Sequence, residues 1–319
     1  MNVYRDLTEL PGGDGPVVAT IGNFDGVHRG HRGVIAEVIA RAGAMGGRSL
    51  AITFDPHPAR VLRPEHELKL ITPLDRKLEL LAATGLDATL VLPFDEALRR
   101  TSARDFAADV LAGAAHVTEI HEGESFRFGY QAQAEVHSLE ALGRELGFAV
   151  VVDAPFQLRG APVSSSRIRA LIGEGNVSAA RALLGRPFAV DSTAAPGRGY
   201  GTRYAVPTIN LAAYTELLPA NGVYVTTLTI GAAGEAETFE AVTNVGNRPT
   251  FGADSFAVES HLLNFHPIEL SETTPLRLAF LRRLREERRF ESTEALRDQI
   301  SQDVNRARRY FTLCAALNR

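Results

Sequence analysis

The 319-residue sequence has no tryptophan and a single cysteine, Cys314. One cysteine excludes an intrachain disulfide and suits a reducing compartment, so a cytoplasmic protein is expected. Lysine is almost missing as well. Lys69 and Lys77 are the two present, and arginine supplies every other basic side chain. Neither lysine follows a glycine, so a Gly-Lys-Ser/Thr phosphate loop is excluded, and any phosphate chemistry is expected to run on His, Arg, backbone amides and bound metal. No apolar stretch approaches membrane-spanning length, and Arg5, Asp6 and Glu9 precede the first apolar run, so neither a signal peptide nor a membrane anchor is expected. A formal net charge of −4 gives no global reason to expect nucleic acid. With 45% hydrophobic and 23% charged residues the composition is that of an ordinary globular protein, and the length suits two domains.

The most concentrated signal is Gly22-Asn23-Phe24-Asp25-Gly26-Val27-His28-Arg29-Gly30-His31. The run Val17–Ile21 before it reads as a buried strand, and Val34, Ile35, Val38 and Ile39 after it recur at helical spacing. The segment is therefore a strand, glycine-rich loop and helix start. Glycines let backbone approach a ligand, and a helix start offers unpaired N–H groups and a positive dipole end to phosphate. His28 and His31 stand at that junction, close enough to act on one phosphate. Two His alone are half a metal site at most, and no Cys or carboxylate cluster nearby completes one.

A second anion cradle is expected at Ser164-Ser165-Ser166-Arg167-Ile168-Arg169, where serines can cap a helix and Arg169 or Arg167 adds a planar fork for phosphate. The pair of motifs resembles the nucleotidylyltransferase superfamily. Between them, strand-like runs at Ser49–Thr53, Ala88–Leu92 and Phe148–Val152 alternate with helical ones at Leu74–Ala83 and Phe106–Leu111. That alternation predicts a mostly parallel, Rossmann-like sheet with ligands at the carboxyl ends of its strands. Phe54-Asp55-Pro56-His57-Pro58 leaves such an end. In Ser125-Phe126-Arg127-Phe128, the two rings fit either a stacking wall for an aromatic ligand or one core-facing strand surface.

The composition shifts near Gly185-Arg186-Pro187, after a helical Ser178–Leu184. Short β-like runs follow at Phe188–Ser192, Tyr204–Leu211, Gly222–Ile230, Glu240–Val245 and Val258–Leu263. They predict a small antiparallel barrel or sandwich. The chain closes with Leu276–Glu287 and a long helix over Thr293–Leu313, whose arginines read as a solvated face. Gly197, Gly199 and Gly201 make a flexible turn before Val206-Pro207-Thr208-Ile209-Asn210. On a strand, Thr208 and Asn210 share a face and present hard oxygen donors. Asn244–Thr250 reads as a second loop. Glu259 is a lone carboxylate in an apolar strand, a poor structural choice unless it is paired or catalytic.

Taken together, the chain is similar over nearly its full length to the prokaryotic bifunctional riboflavin kinase/FAD synthetase family. The resemblance implies an FMN adenylyltransferase domain at 1–186 and a riboflavin kinase domain at 187–319, the latter a six-stranded barrel with a long terminal helix. It implies ATP, riboflavin and FMN as substrates, FAD as product, and Mg²⁺ carried on ATP. Gly22, Phe24, Asp25, Gly30, Ser165, Ser166, Gly197, Gly199 and Gly201 would bind ATP, with His28, His31 and Arg169 acting on its phosphates. Phe54, Pro56, His57, Ser125, Phe126 and Phe128 would contact flavin, Thr208 and Asn210 would hold the metal, and Glu259 would be the general base. Small molecules are the expected partners, with no nucleic acid or membrane, and the chain is expected as a monomer or weak homo-oligomer. The sequence departs from the family pattern at Ser125, where Asn or Asp is usual, at Tyr130–Gln133, at Ser166 in place of Thr, and at Thr202 and Ala205. Two alternatives stay open: a riboflavin kinase alone, and a non-catalytic flavin- or nucleotide-sensing module.

Overall fold

A computed structural model describes residues 1–13, 15–195, 208–232, 234–247, 256–266, 268 and 270–317. Its packing separates two compact units, Met1–Ser165 and Ser166–Arg319.

The first unit is built on six parallel strands: β1 (Asn2–Tyr4), β2 (Val17–Ile21), β3 (Arg48–Asp55), β4 (Ala88–Pro93), β5 (Val117–Gly123) and β6 (Ala149–Asp153). Their order in the sheet is β1-β4-β3-β2-β5-β6. Every residue of β2 is buried, as an apolar strand covered on both faces requires. One face packs Ala19, Ile21, Ile52, Leu90 and Ile120 against Phe106, Val110 and Leu139. The other packs Val18 and Ala51 against Ile35 and Val38 of helix α1 (Arg29–Ala44) and Leu81 of helix α2 (Leu74–Ala82). The segment expected as a helix at Phe106–Leu111 is a π-helix over Phe106–Ala114. From β2 the chain winds outward through β3 and β4, then crosses to β5 and β6 on the other side. The carboxyl ends of β2 and β5 therefore flank the switch point, where such sheets bind ligands.

The second unit opens with helices α4 (Ser165–Gly173) and α5 (Val177–Leu184), α3 being Val136–Leu146 of the first unit. The packing boundary precedes the composition shift near 186 because these helices bond to the sheet that follows them. Ser178 Oγ donates to the Leu281 carbonyl at 3.2 Å and Ala220 N to that of Ile172 at 3.3 Å. The sheet is antiparallel throughout, formed by β7 (Phe188–Thr193), β8 (Thr208–Asn210), β9 (Gly222–Ile230), β10 (Glu237–Asn247), β11 (Phe256–Leu262) and β12 (Pro275–Arg285) in the order β7-β12-β9-β10-β11-β8. It curls until its edge strands meet: Ala195 N donates to Asn210 O at 2.8 Å and Ala212 N to Thr193 O at 2.9 Å.

Alternation sorts the side chains of this sheet. Inside it Phe188 stacks on Phe280, which Tyr224 meets edge-on, while Val223, Val225 and Val242 face Ala307 and Val304 of helix α6 (Thr293–Leu317). The buried Asp303 of α6 accepts from Arg285 at 2.8 Å and Gln299 at 2.9 Å, which fixes the helix to the end of β12. The stretch expected at Leu276–Glu287 proves to be β12, which ends at Arg285. Asn244–Asn247, read from sequence as the start of a loop, continues β10, because β11 pairs with all four residues and β9 also pairs with Asn244 and Val245. The rest of that stretch, 248–250, lies outside the described residues.

Candidate functional site

In the first unit, β2 ends at Ile21 and the chain turns sharply before α1. Phe24 and Val27 adopt left-handed backbone, at φ 46° and 35°, and both are buried. A β-branched residue there is strained by on the order of 1–3 kcal/mol and needs its surroundings to hold it. Asp25 supplies that hold. Its carboxylate, 1% exposed, accepts from Ile71 N at 3.0 Å and Thr72 N at 2.9 Å, and Gly26 N donates to Thr72 Oγ1 at 2.9 Å. Asp25 thus shapes the loop by tying it to the segment that leads into α2.

The loop delivers two stacked imidazoles to the start of α1. His28 caps the helix, its Nδ1 accepting from His31 N at 3.2 Å, and the rings lie 3.6 Å apart at 17°. Phe24 meets His31 edge-on at 5.2 Å. A Cβ on Gly30 would come within 3.2 Å of the His28 ring, and one on Gly22 within 3.1 Å of the Phe24 ring, so a side chain at either position would crowd a ring of the loop. Within the first unit, Ser165 of the second motif meets the first: its Oγ donates to the Asp25 carbonyl at 2.8 Å. Ser166, exposed, and Arg169, half-buried, follow on α4. The start of α1, the two imidazoles and the Ser165 hydroxyl suit a polyphosphate.

The proposed flavin contacts are arranged unevenly. Phe54, half-buried at the end of β3, meets Phe94 edge-on at 5.7 Å. Pro56 is exposed after a cis Asp55–Pro56 bond, and His57 Nδ1 accepts from Ala59 N at 3.1 Å to cap a short helix. Ser125 is exposed. Phe126 and Phe128 stack 5.4 Å apart, but Phe128 is buried against Phe106 in the core, so Phe126 is the more accessible ring.

At the switch point the β2–β5 ladder stops at Ala19 and Ile120, and the carboxyl of buried Glu122 takes over, accepting from Ile21 N at 2.5 Å. Burial drives its pKa well up, with the nearby Asp153 charge adding to the effect and the Ile21 bond opposing it. The folded value therefore exceeds the unfolded one. The folded chain holds more proton there, and stability falls as pH rises above the ordinary glutamate value of 4.5. Glu122→Gln keeps the acceptor and removes the charge. Its melting temperature is expected to exceed the wild type's by a margin that widens from pH 5 to pH 8, at about 2–4 °C per kcal/mol. A margin that is constant or negative in thermal melts would contradict this.

In the second unit, strand register builds the constellation. Asn210 lies directly opposite Glu259, and Glu259 directly opposite Asn244, across β8, β11 and β10. Thr208 lies opposite His261. Opposed side chains in such a ladder sit about 4.5–5.5 Å apart at Cβ, and all five residues share the face that packs against α6 elsewhere. Thr208 is exposed, and Asn210 and Glu259 are half-buried. Burial, helped by the positive charge of Arg308, pushes the His261 pKa below its ordinary value, so a neutral imidazole flanks the group. From sequence, Asn244 was read as the start of a loop and His261 was given no role, because the strand pairing that places both beside Glu259 is not visible in either segment alone. Their period-two spacing from neighbouring apolar residues was the available signal. Gly197, Gly199 and Gly201 lie outside the described residues.

A hard cation arriving on a nucleotide fits this donor set. Thr208 and Asn210 offer one hydroxyl and one amide oxygen on a common face, and no group of three His, Cys, Asp or Glu among the described residues forms a dedicated metal cage. No helix among the described residues is long and apolar enough to cross a membrane.

Comparison with known proteins follows the same division. A family profile described as FAD synthetase matches residues 12–167, and one described as riboflavin kinase matches 184–311. A bifunctional riboflavin kinase/FMN adenylyltransferase of Pseudomonas fluorescens is 34% identical over 309 residues, 97% of each chain. That of Escherichia coli K12 is 31% identical over 296 residues, 93% of each. A solved structure of a macrolide-efflux protein from Streptococcus pneumoniae superposes with a TM-score of 0.84 at 24% identity, over 96% of this chain and 98% of that one. At that identity the likeness concerns the fold alone.

Proposed function

The chain belongs to the bifunctional riboflavin kinase/FMN adenylyltransferase family, and from that premise we propose which residues carry each of its two reactions. It phosphorylates riboflavin to FMN and adenylylates FMN to FAD. The observation that carries the residue assignment is the in-register pairing of Asn210 with Glu259, beside Thr208, in a unit separate from the stacked His28 and His31. A sensor would need neither a base facing an amide nor a second anion cradle.

In the kinase module, proposed as residues 187–319, Glu259 accepts the proton of the riboflavin 5′-hydroxyl as that oxygen attacks the γ-phosphorus of ATP and ADP departs. Thr208 and Asn210 would hold Mg²⁺, which when bound neutralises phosphate charge. Asn210 and Asn244, on either side of Glu259, orient its carboxylate, and Gly197, Gly199 and Gly201 are proposed to cover the phosphates.

In the adenylyltransferase module, proposed as residues 1–186, an FMN phosphate oxygen attacks the α-phosphorus of ATP and pyrophosphate leaves. Orienting two anions and neutralising their charge is sufficient, with no covalent intermediate on the protein. His28, His31, Ser165, Ser166 and Arg169 do this, on a loop whose shape depends on Gly22, Phe24, Asp25 and Gly30. Phe54, Pro56, His57, Ser125 and Phe126 line the flavin, with Phe128 supporting Phe126. With a single cysteine and small water-soluble substrates, the protein is proposed to work in the cytoplasm, as a monomer or weak homo-oligomer, without membrane or nucleic acid.

Incubation with riboflavin, ATP and Mg²⁺, followed by chromatography of the flavins, tests this reading. FMN and FAD are both expected. FMN alone would leave a kinase whose adenylyltransferase has lapsed, and neither product would leave a binding module. Omitting Mg²⁺ should stop both products.

A further inference from the structure

Lys77 is one of two lysines in the chain and is 4% exposed. It sits on α2 three residues after Leu74 and four before Leu81, on the face that turns inward. A buried ammonium in such a position is costly unless something requires it. Its Nζ donates to Thr53 Oγ1 at 3.3 Å, and that fully buried hydroxyl donates in turn to the Asn23 carbonyl at 3.4 Å. The carboxylates of Asp25 and Asp55 lie within its electrostatic reach. Burial pulls the ammonium below the ordinary lysine range, and these two carboxylates oppose that pull.

Three segments converge on this one group. Asn23 and Asp25 belong to the turn that presents His28 and His31, while Thr53 and Asp55 close β3 just where Phe54, Pro56 and His57 begin. Asp25 also anchors the Ile71–Thr72 segment that leads into α2, which carries Lys77. We infer that Lys77 is a positioning residue for adenylyl transfer, its ammonium holding the nucleotide turn and the flavin-side loop in one arrangement. The inference rests on the assignment of Gly22–His31 to ATP. Both cradles were expected to work without lysine, and neither need touch one. Lys77 acts from beneath, through Thr53 and the two aspartates.

A neutral side chain of the same length should let both loops relax together. In Lys77→Met, kcat/KM for FAD formation from supplied FMN is expected to fall at least 30-fold, with KM rising for ATP and FMN alike. FMN formation from riboflavin on the same polypeptide should stay within twofold of wild type. Adding Asp55→Asn removes one of the two negative charges that Lys77 balances, and the double variant should regain at least fivefold, which a purely space-filling lysine would not produce. An adenylyl transfer rate within threefold of wild type in Lys77→Met, or no recovery in the double variant, overturns the inference. If Lys77→Met does not fold, Lys77→Gln takes its place under the same criteria. His31→Ala, assayed alongside, separates the two layers. If it too keeps wild-type FAD formation, the assignment of the loop to ATP has failed. If it loses FAD formation while Lys77→Met does not, only the present inference has.

Discussion

A Glu259→Gln enzyme should lose FMN formation from riboflavin by about 10²–10⁴-fold, the usual contribution of a positioned general base, and still convert supplied FMN to FAD at close to the wild-type rate. The substitution keeps the volume, the β11 backbone pairing and an acceptor oxygen facing Asn210 and Asn244, and removes only the capacity to take a proton. Glu259 is half-buried on a strand whose neighbours Val258, Ser260 and Leu262 are buried, so the amide should not disturb packing. The FMN-to-FAD reaction serves as an internal control for folding, because the first unit has its own sheet and core. Separate steady-state assays of the two reactions provide the measurement. Equal loss of both would refute the division of labour, and full retention of FMN formation would remove Glu259 from the chemistry.

Replacing His31 by alanine should reverse the pattern, cutting FAD formation on the order of a hundredfold, as loss of one charge-stabilising donor does, with FMN formation unchanged. Two effects combine here. The donor itself is removed, and the His28 ring loses the face on which it stacks at 3.6 Å. The backbone N–H of residue 31 still caps onto His28 Nδ1, so α1 should remain intact. His31→Asn, which restores a donor without the ring, should recover part of the rate and so separates the two contributions. Wild-type FAD formation by His31→Ala in a single-turnover assay would sink the assignment.

Much of the architecture could be read before any coordinates. Val17–Ile21 is short, largely apolar and rich in β-branched residues, which suits a strand covered on both faces, and it is buried throughout. The alternation of such runs with helical ones led to the parallel sheet, and the short, regularly spaced runs after 187 led to the antiparallel one. Where the reading stopped short, the cause was non-local. Asn244–Asn247 resembles a turn in composition, but β11 pairs with all of it and β9 with Asn244 and Val245. Helices α4 and α5 pack with the second unit because partners as distant in sequence as Leu281 bond to them. Phe126 and Phe128, equally suited to a wall or a core by pattern, are divided by Phe106, which claims Phe128.

By itself, the amino-acid order determined the chemistry available: glycines that let His28 and His31 stack at a helix start, hydroxyl and amide oxygens two residues apart on a strand, and one carboxylate among apolar neighbours. Spacing within a single element is enough to specify such groups, since strand and helix periods are properties of the local backbone. Tertiary structure alone decided which of them meet. Asn210 faces Glu259 through strand register, Ser165 reaches the Asp25 carbonyl across 140 residues, and Lys77 lies beneath the loop that Asp25 anchors. Those meetings depend on how sheets pair and helices pack, which sum over the whole chain and leave no mark on any one segment.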